Sequence, residues 1–105
     1  MKTKLLFLCS ANIDRSPAAE SLFENSEKFE AKSAGLSELT ENPVTKEMVD
    51  WADTIFVMEP EHRDLLFEKF NGISKDIIIL NVPNHFLRYD YELERLLRVK
   101  LNGWL

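Results

Sequence analysis

The sequence predicts an α/β fold, a parallel sheet with helices on both faces. Three observations carry this expectation. Short apolar runs at Lys4–Leu8, Thr54–Met58 and Ile77–Leu80 alternate with stretches of helical periodicity. The runs are continuous rather than alternating, which suits strands buried on both faces. Cys9 closes the first run, and Arg15-Ser16-Pro17 follows after five intervening residues, so a loop joins the end of a strand to the start of a helix.

Taken in order, Lys4–Leu8 is a central strand. Pro17 to about Lys28 reads as a helix, with Ser16 as its cap, Pro17 in its first position and Glu20 near its start. Ala18 and Ala19 let it lie close to the sheet, and Leu22 and Phe23 continue its apolar face. Phe29–Ala34 alternates and ends at Gly35, a short strand, and Leu36–Pro43 is a loop. Val44–Trp51 reads as a helix, and Thr54–Met58 as a buried strand entered through Asp53. Pro60 opens a helix with Leu65, Leu66, Phe67 and Phe70 facing inward, closed by Asn71-Gly72. Ile77–Leu80 is the strand with the strongest β-branched content. Asn81–Arg88 is a loop, and Tyr89 or Asp90 to about Leu101 is the last helix, with Leu93, Leu96, Leu97 and Leu101 on one face. The order βαβαβαβα implies right-handed crossovers and ligand binding outside the C-terminal ends of the strands.

The chain has 105 residues with 45% hydrophobic content, which fits one domain over 1–105 around one core, and no repeat or linker interrupts it. Its net charge of −5 argues against a nucleic-acid binder. No stretch approaches the roughly 18 apolar residues that cross a bilayer. The first residues resemble a signal peptide only briefly. The run is short and leads to Arg15 and Glu20, so it reads as a strand and the protein as cytoplasmic. A lone cysteine excludes an internal disulfide or a cysteine-rich zinc site.

The chemistry concentrates at Cys9. A strand–loop–helix turn of this size can wrap one tetrahedral oxyanion with inward backbone N–H groups, a guanidinium at one side and sulfur at the base. The helix start and Arg15 both favour the thiolate, and the Ser16 hydroxyl can donate to it. Such an arrangement suits in-line attack by Cys9 on phosphorus, with Arg15 and the loop amides of Ser10, Ala11, Asn12, Ile13 and Asp14 holding the equatorial oxygens, followed by hydrolysis of the phosphocysteine.

Cys9 to Pro17, with Ala18 and Glu20, closely resembles the N-terminal loop of low-molecular-weight protein tyrosine phosphatases, which commonly reads C-x-G-N-I-C-R-S-P. The resemblance continues in Ser33-Ala34-Gly35, in Ala52 to Met58 and in the helix opened by Glu59 and Pro60, with the length of a compact subgroup. It implies a flavodoxin-like three-layer αβα fold with a four-stranded parallel sheet, no metal and no organic cofactor. It also implies that Cys9 is the nucleophile, Arg15 the phosphate-binding arginine, Ser16 the thiolate-stabilising serine and Asn12 the brace of the loop. Ile13 matches tyrosine-directed members, whereas members acting on phosphoarginine tend to carry threonine there. The implied partner is a phosphorylated protein or small aryl phosphate, with no nucleic acid or membrane, and a monomer is expected.

Three positions depart from the family pattern. Ala11 replaces glycine, a cost if that position needs φ > 0. Asp14 replaces a cysteine, and points to solvent or pairs with a cation unless it turns inward against the anion. Asn84 aligns where the family supplies a general-acid aspartate. His85 and Asp90 are the candidate substitutes, His85 otherwise an ordinary loop histidine and Asp90 otherwise a helix cap. Phe86 and Tyr89 are candidates for a substrate wall or for loop packing. A weak phosphatase is therefore weighed against a phosphate-binding pseudophosphatase and, below both, an arsenate reductase. Trp51, Trp104 and the Phe residues read as core or helix-packing groups, His62 as part of a solvated helix face, and Glu92, Glu94, Arg95 and Arg98 as a charged outer face.

Overall fold

In a computed structural model describing residues 1–105, strand β1 (Thr3–Cys9) lies at the centre of a parallel sheet. On one side it pairs with β2 (Phe29–Gly35), and on the other with β3 (Thr54–Val57), to which β4 (Ile77–Ile79) is added. The order β2-β1-β3-β4 is the doubly wound arrangement. The connections that leave β1 and β3 run in opposite directions, to β2 and to β4, so a crevice opens at the C-terminal ends of β1 and β3.

Successive residues of β1 serve opposite faces. Leu5, Phe7 and Cys9 pack with Ala18, Ala19, Leu93, Leu97 and Leu101, under helices α1 (Arg15–Ser21) and α4 (Tyr91–Asn102). Leu6 and Leu8 pack with Val49, Val57 and Leu66, under α2 (Lys46–Trp51) and α3 (Pro60–Lys69). Phe7 bridges the first layer, stacking on Phe56 at 5.1 Å and on Phe23 at 5.8 Å between ring centroids. Each such buried side chain contributes roughly 1.5–3 kcal/mol of transfer free energy. Ala18 and Ala19 are buried, and their small size brings α1 onto the sheet.

Several element boundaries differ from expectation. Helix α1 starts at Arg15 rather than Pro17 and ends at Ser21 rather than near Lys28, the chain continuing in turns. Ser16 therefore lies inside the first turn and caps nothing. Helix α2 begins at Lys46 rather than Val44, because Thr45 accepts from the Met48 N–H as its cap and Val44 is drawn into the core. On α3 only Leu66 of the expected apolar face is fully buried. Leu65 and Phe67 face solvent, since a single stripe of this short helix meets the sheet. Trp104 is likewise exposed rather than packed, and Trp51 is half-buried beneath the Lys32 ammonium. Glu94 and Arg98 do face each other on the outside of α4, at 3.9 Å.

Candidate active site

The loop from Ser10 to Asp14 rises from the C-terminal end of β1 and descends into α1. Its base is set by β2. Gly35 pairs beside Cys9, and the N–H groups of Leu36 and Ser37 donate to the Ser10 carbonyl at 3.1 and 2.8 Å. A Cβ at Gly35 would lie 2.8 Å from the Ser10 carbonyl oxygen and from Thr40 Oγ1, so the close approach requires glycine. Thr40 Oγ1 in turn donates to the Ala11 carbonyl at 2.6 Å.

The left-handed residue of the loop is Asn12, with φ of 59°, not Ala11. The expected strain at Ala11 is therefore absent, and the special conformation falls on a residue type that tolerates it. Asn12 is also the hub of the side-chain network. Its Nδ2 donates to Ser16 Oγ at 2.8 Å and to Ser33 Oγ at 3.0 Å, and its Oδ1 accepts from Asn42 Nδ2 at 3.0 Å. Ser33 Oγ in turn donates a hydrogen bond to Glu20 Oε1 at 2.5 Å. Ser16 Oγ, which accepts from Asn12, also lies 3.0 Å from Cys9 Sγ, where either group can donate, and 3.4 Å from the Ala34 carbonyl, to which it donates.

Arg15 is 2% exposed. Its Nη1 donates to Glu59 Oε2 at 2.6 Å and to the Val82 carbonyl at 2.8 Å. Asp14, the neighbouring departure from the family pattern, neither turns on the anion nor meets a cation. Its Oδ1 accepts from the Arg88 backbone N–H at 2.9 Å. Consecutive residues of the phosphate loop thus clip the segment that follows β4.

His62 corrects the sequence reading most sharply. Expected on a solvated face, it is 2% exposed. Its Nδ1 accepts from the N–H groups of Met58 at 3.3 Å and Glu59 at 3.1 Å, which leaves the ring proton on Nε2, 3.0 Å from Ser10 Oγ. Burial, then the neighbouring Arg15, lowers its pKa from 6.5 to about 4 against an opposing pull from Glu59. The ring is neutral near pH 7. Glu59 and His62 lay outside the sequence-based site. The signal that could have found them is a Glu-Pro-Glu-His start with capping-box spacing, at the end of a strand beside the first.

The segment after β4 is less ordered by contacts. Asn84 and His85 are exposed, and the His85 ring rests on Phe86, 4.3 Å between centroids. Phe86 is half-buried against the cluster that contains Cys9, so it packs the loop. Tyr89 is 87% exposed, with Arg88 over its ring. Asp90 accepts from the Glu92 N–H at 2.9 Å as the cap of α4, and it lines a cleft with Ala18, Ser21 and Glu94 on the α1–α4 side. Its carboxylate is thus engaged by the helix. A second cleft, of about 430 Å³, lies against the phosphate loop between Ile13, which is 64% exposed, and Leu39. No group of three or more His, Cys, Asp or Glu side chains is arranged to hold a metal ion, and no helix is long and apolar enough to cross a membrane.

A family model described as low molecular weight phosphotyrosine protein phosphatase matches residues 4–80. The protein-arginine-phosphatase of Geobacillus stearothermophilus is 31% identical over 94 aligned residues, covering 67% of this chain and 64% of that relative. The chain thus spans slightly less than two thirds of that protein's length. Among solved structures, SP-PTP, a low molecular weight protein tyrosine phosphatase from Streptococcus pyogenes, superposes with a TM-score of 0.79 at 22% identity, covering 100% of this chain and 91% of that one. The YwlE arginine phosphatase from Geobacillus stearothermophilus superposes with a TM-score of 0.69 at 24% identity, over 96% and 92% of the two chains. These structural likenesses establish the fold, flavodoxin-like α/β.

Proposed function

The chain belongs to the low molecular weight phosphotyrosine protein phosphatase family, and from that premise we propose that it is a cysteine-dependent phosphatase of phosphotyrosine-like aryl phosphate monoesters. The observation that carries the reading is the hydrogen-bonded chain of Asn12, Ser16 and Cys9 beside the buried Arg15. In the proposed reaction Cys9 Sγ attacks phosphorus in line, the bond to the aryl oxygen breaks, and the loop amides with Arg15 hold the equatorial oxygens. Water then cleaves the S–P bond, releasing phosphate and restoring the thiolate.

The leaving oxygen needs a proton or a low basicity of its own. Asn84 offers no acid, and Asp90 is engaged as a helix cap. His85, exposed on the same loop, is the one candidate donor with an unengaged side chain in that segment. The proposal is therefore a phosphatase that handles good leaving groups far better than poor ones. The exposed Ile13 beside an open cleft supports an aromatic substrate body.

Two further readings have specific support. Asn84 favours a pseudophosphatase that binds phosphorylated partners without turnover. The similarity to a protein-arginine-phosphatase favours phosphoarginine, against which Ile13 weighs. We read residues 1–105 as one catalytic domain acting as a monomer in the cytoplasm, where a reducing environment keeps a nucleophilic thiol free.

Hydrolysis of nitrophenyl phosphate and of phosphotyrosine and phosphoarginine peptides by wild type, Cys9→Ser and Asn84→Asp tests these readings together. Turnover that vanishes in Cys9→Ser is expected, with phosphotyrosine preferred. Preference for phosphoarginine overturns the substrate class. Phosphopeptide binding with no turnover by wild type favours the pseudophosphatase, and neither binding nor turnover overturns the reading of the loop.

A further inference from the structure

We infer that Glu59 is the positioning residue of Arg15, holding its guanidinium so that the Nε–Nη2 edge faces the oxyanion, while His62 keys the other end of the loop through Ser10. The inference deepens the proposed phosphatase reading and rests on the loop being an oxyanion site.

Arg15 carries five N–H donors in a planar fork. Both protein contacts fall on Nη1, whose two hydrogens go to Glu59 Oε2 and the Val82 carbonyl. No protein acceptor engages Nε or Nη2, and their parallel N–H bonds match two oxygens of a phosphate. A carboxylate competing with the anion would take that edge bidentately. Glu59 instead takes the far nitrogen, together with a backbone carbonyl. One bond would leave the buried guanidinium free to pivot. Two bonds from the same nitrogen to acceptors on different segments fix the plane.

The first turn of α3 supplies both grips. Glu59 precedes Pro60, and its backbone N–H is taken by His62 Nδ1, so the His62 ring is fixed to the main chain from which the Glu59 side chain departs. From there Glu59 reaches Arg15, at the far end of the loop, and His62 Nε2 reaches Ser10, next to the nucleophile. The neighbouring positions of β1 and β3 in the sheet make this span possible: Leu8 pairs with Val57, two residues before Glu59.

The test is binding of inorganic phosphate, by isothermal titration and by inhibition of nitrophenyl phosphate hydrolysis, in wild type, Glu59→Gln, Glu59→Ala, Arg15→Lys and the Glu59→Gln/Arg15→Lys pair. Glutamine keeps the size and one neutral hydrogen bond. The expected result is a phosphate affinity lowered roughly 5-fold in Glu59→Gln and more in Glu59→Ala, with KM rising more than kcat falls and the phosphate-free melting temperature of Glu59→Gln unchanged. The Glu59→Gln loss should vanish in the Arg15→Lys background, because an ammonium has no edge to orient. Equal or tighter phosphate binding by Glu59→Gln overturns the inference and leaves the oxyanion-loop reading intact, since the carboxylate would then be a competitor or a bystander. A loss that persists with Arg15→Lys also overturns it. Wild type that binds no phosphate overturns both. Should Glu59→Ala fail to fold, the glutamine variant and its double-mutant cycle decide.

Discussion

The phosphate loop and the segment after β4 face each other across the same crevice, yet they are built to different standards. From Cys9 to Ser16, the side chains of Cys9, Ser10, Asn12, Asp14, Arg15 and Ser16 all have partners, and Arg15 and Ser16 are buried. From Pro83 to Tyr89, the side chains are mostly exposed, and the segment is held through its backbone at Arg88 and by the packing of Phe86. The contrast teaches that the groups proposed to hold an anion are fixed in advance by their partners, whereas those that could deliver a proton are not. The electrostatic part of catalysis needs fixed dipoles. A proton donor needs reach and a suitable pKa, and this segment carries Asn84, an amide with no acidic proton to give.

The contrast is testable from its strongest side to its weakest. Cys9→Ser should abolish turnover of nitrophenyl phosphate, a fall on the order of 10³-fold or more in steady-state assays. Asn12→Ala removes the hub and leaves Ser16, Ser33 and Asn42 short of partners. It should lower kcat by about 100-fold and stability by about 2–3 kcal/mol in urea titrations. Asn84→Asp should leave nitrophenyl phosphate rates nearly unchanged but raise those for phenyl phosphate by about 10- to 100-fold, because only the poorer leaving group needs the acid. If both substrates gain equally, the deficit of this segment is not protonation.

His62 gives the pH dependence. Its folded pKa of about 4 lies below the ordinary 6.5, so the unfolded chain binds the proton more readily. The contribution of the neutral ring is complete above pH 6.5 and is lost as pH falls toward 4, by at most about 3 kcal/mol. Arg15 and Glu59 face the ring. Denaturant unfolding at pH 7 and pH 4.5 should show this loss in wild type and a smaller one in His62→Gln. The smallest effect belongs to Asp14→Ala. Losing one exposed clip should cost less than about 1 kcal/mol, while limited proteolysis near Arg88 should quicken. Unchanged proteolysis would mean that the clip does not restrain the segment.

The layout of the site was readable to different depths. Cys9, Arg15 and Ser16 were legible because their chemistry depends on local spacing: a strand end, five residues and a helix start place them around one point, whereas the brace at Asn12 is legible only through the family resemblance. Ser16 reads as a cap because propensity favours serine before a helical proline, but the helix begins one residue earlier, at Arg15, and takes Ser16 into its first turn. His62 was misread because α3 is polar on most of its surface, and its burial comes from its position in the first turn against the phosphate loop. Asp14 was framed as a charge beside an anion, yet its partner is a backbone N–H 74 residues distant. No local pattern carries such a pairing.

By itself, the sequence determined the alternation of strands and helices and the composition of the phosphate loop, because periodicity and turn chemistry act over a few residues. Tertiary structure alone decided which residues hold that loop. The β2-β1-β3-β4 order brings Gly35, Asn42, Glu59, His62 and Val82 to the ends of neighbouring strands. There the cost of burying polar atoms without partners selects one arrangement of donors and acceptors.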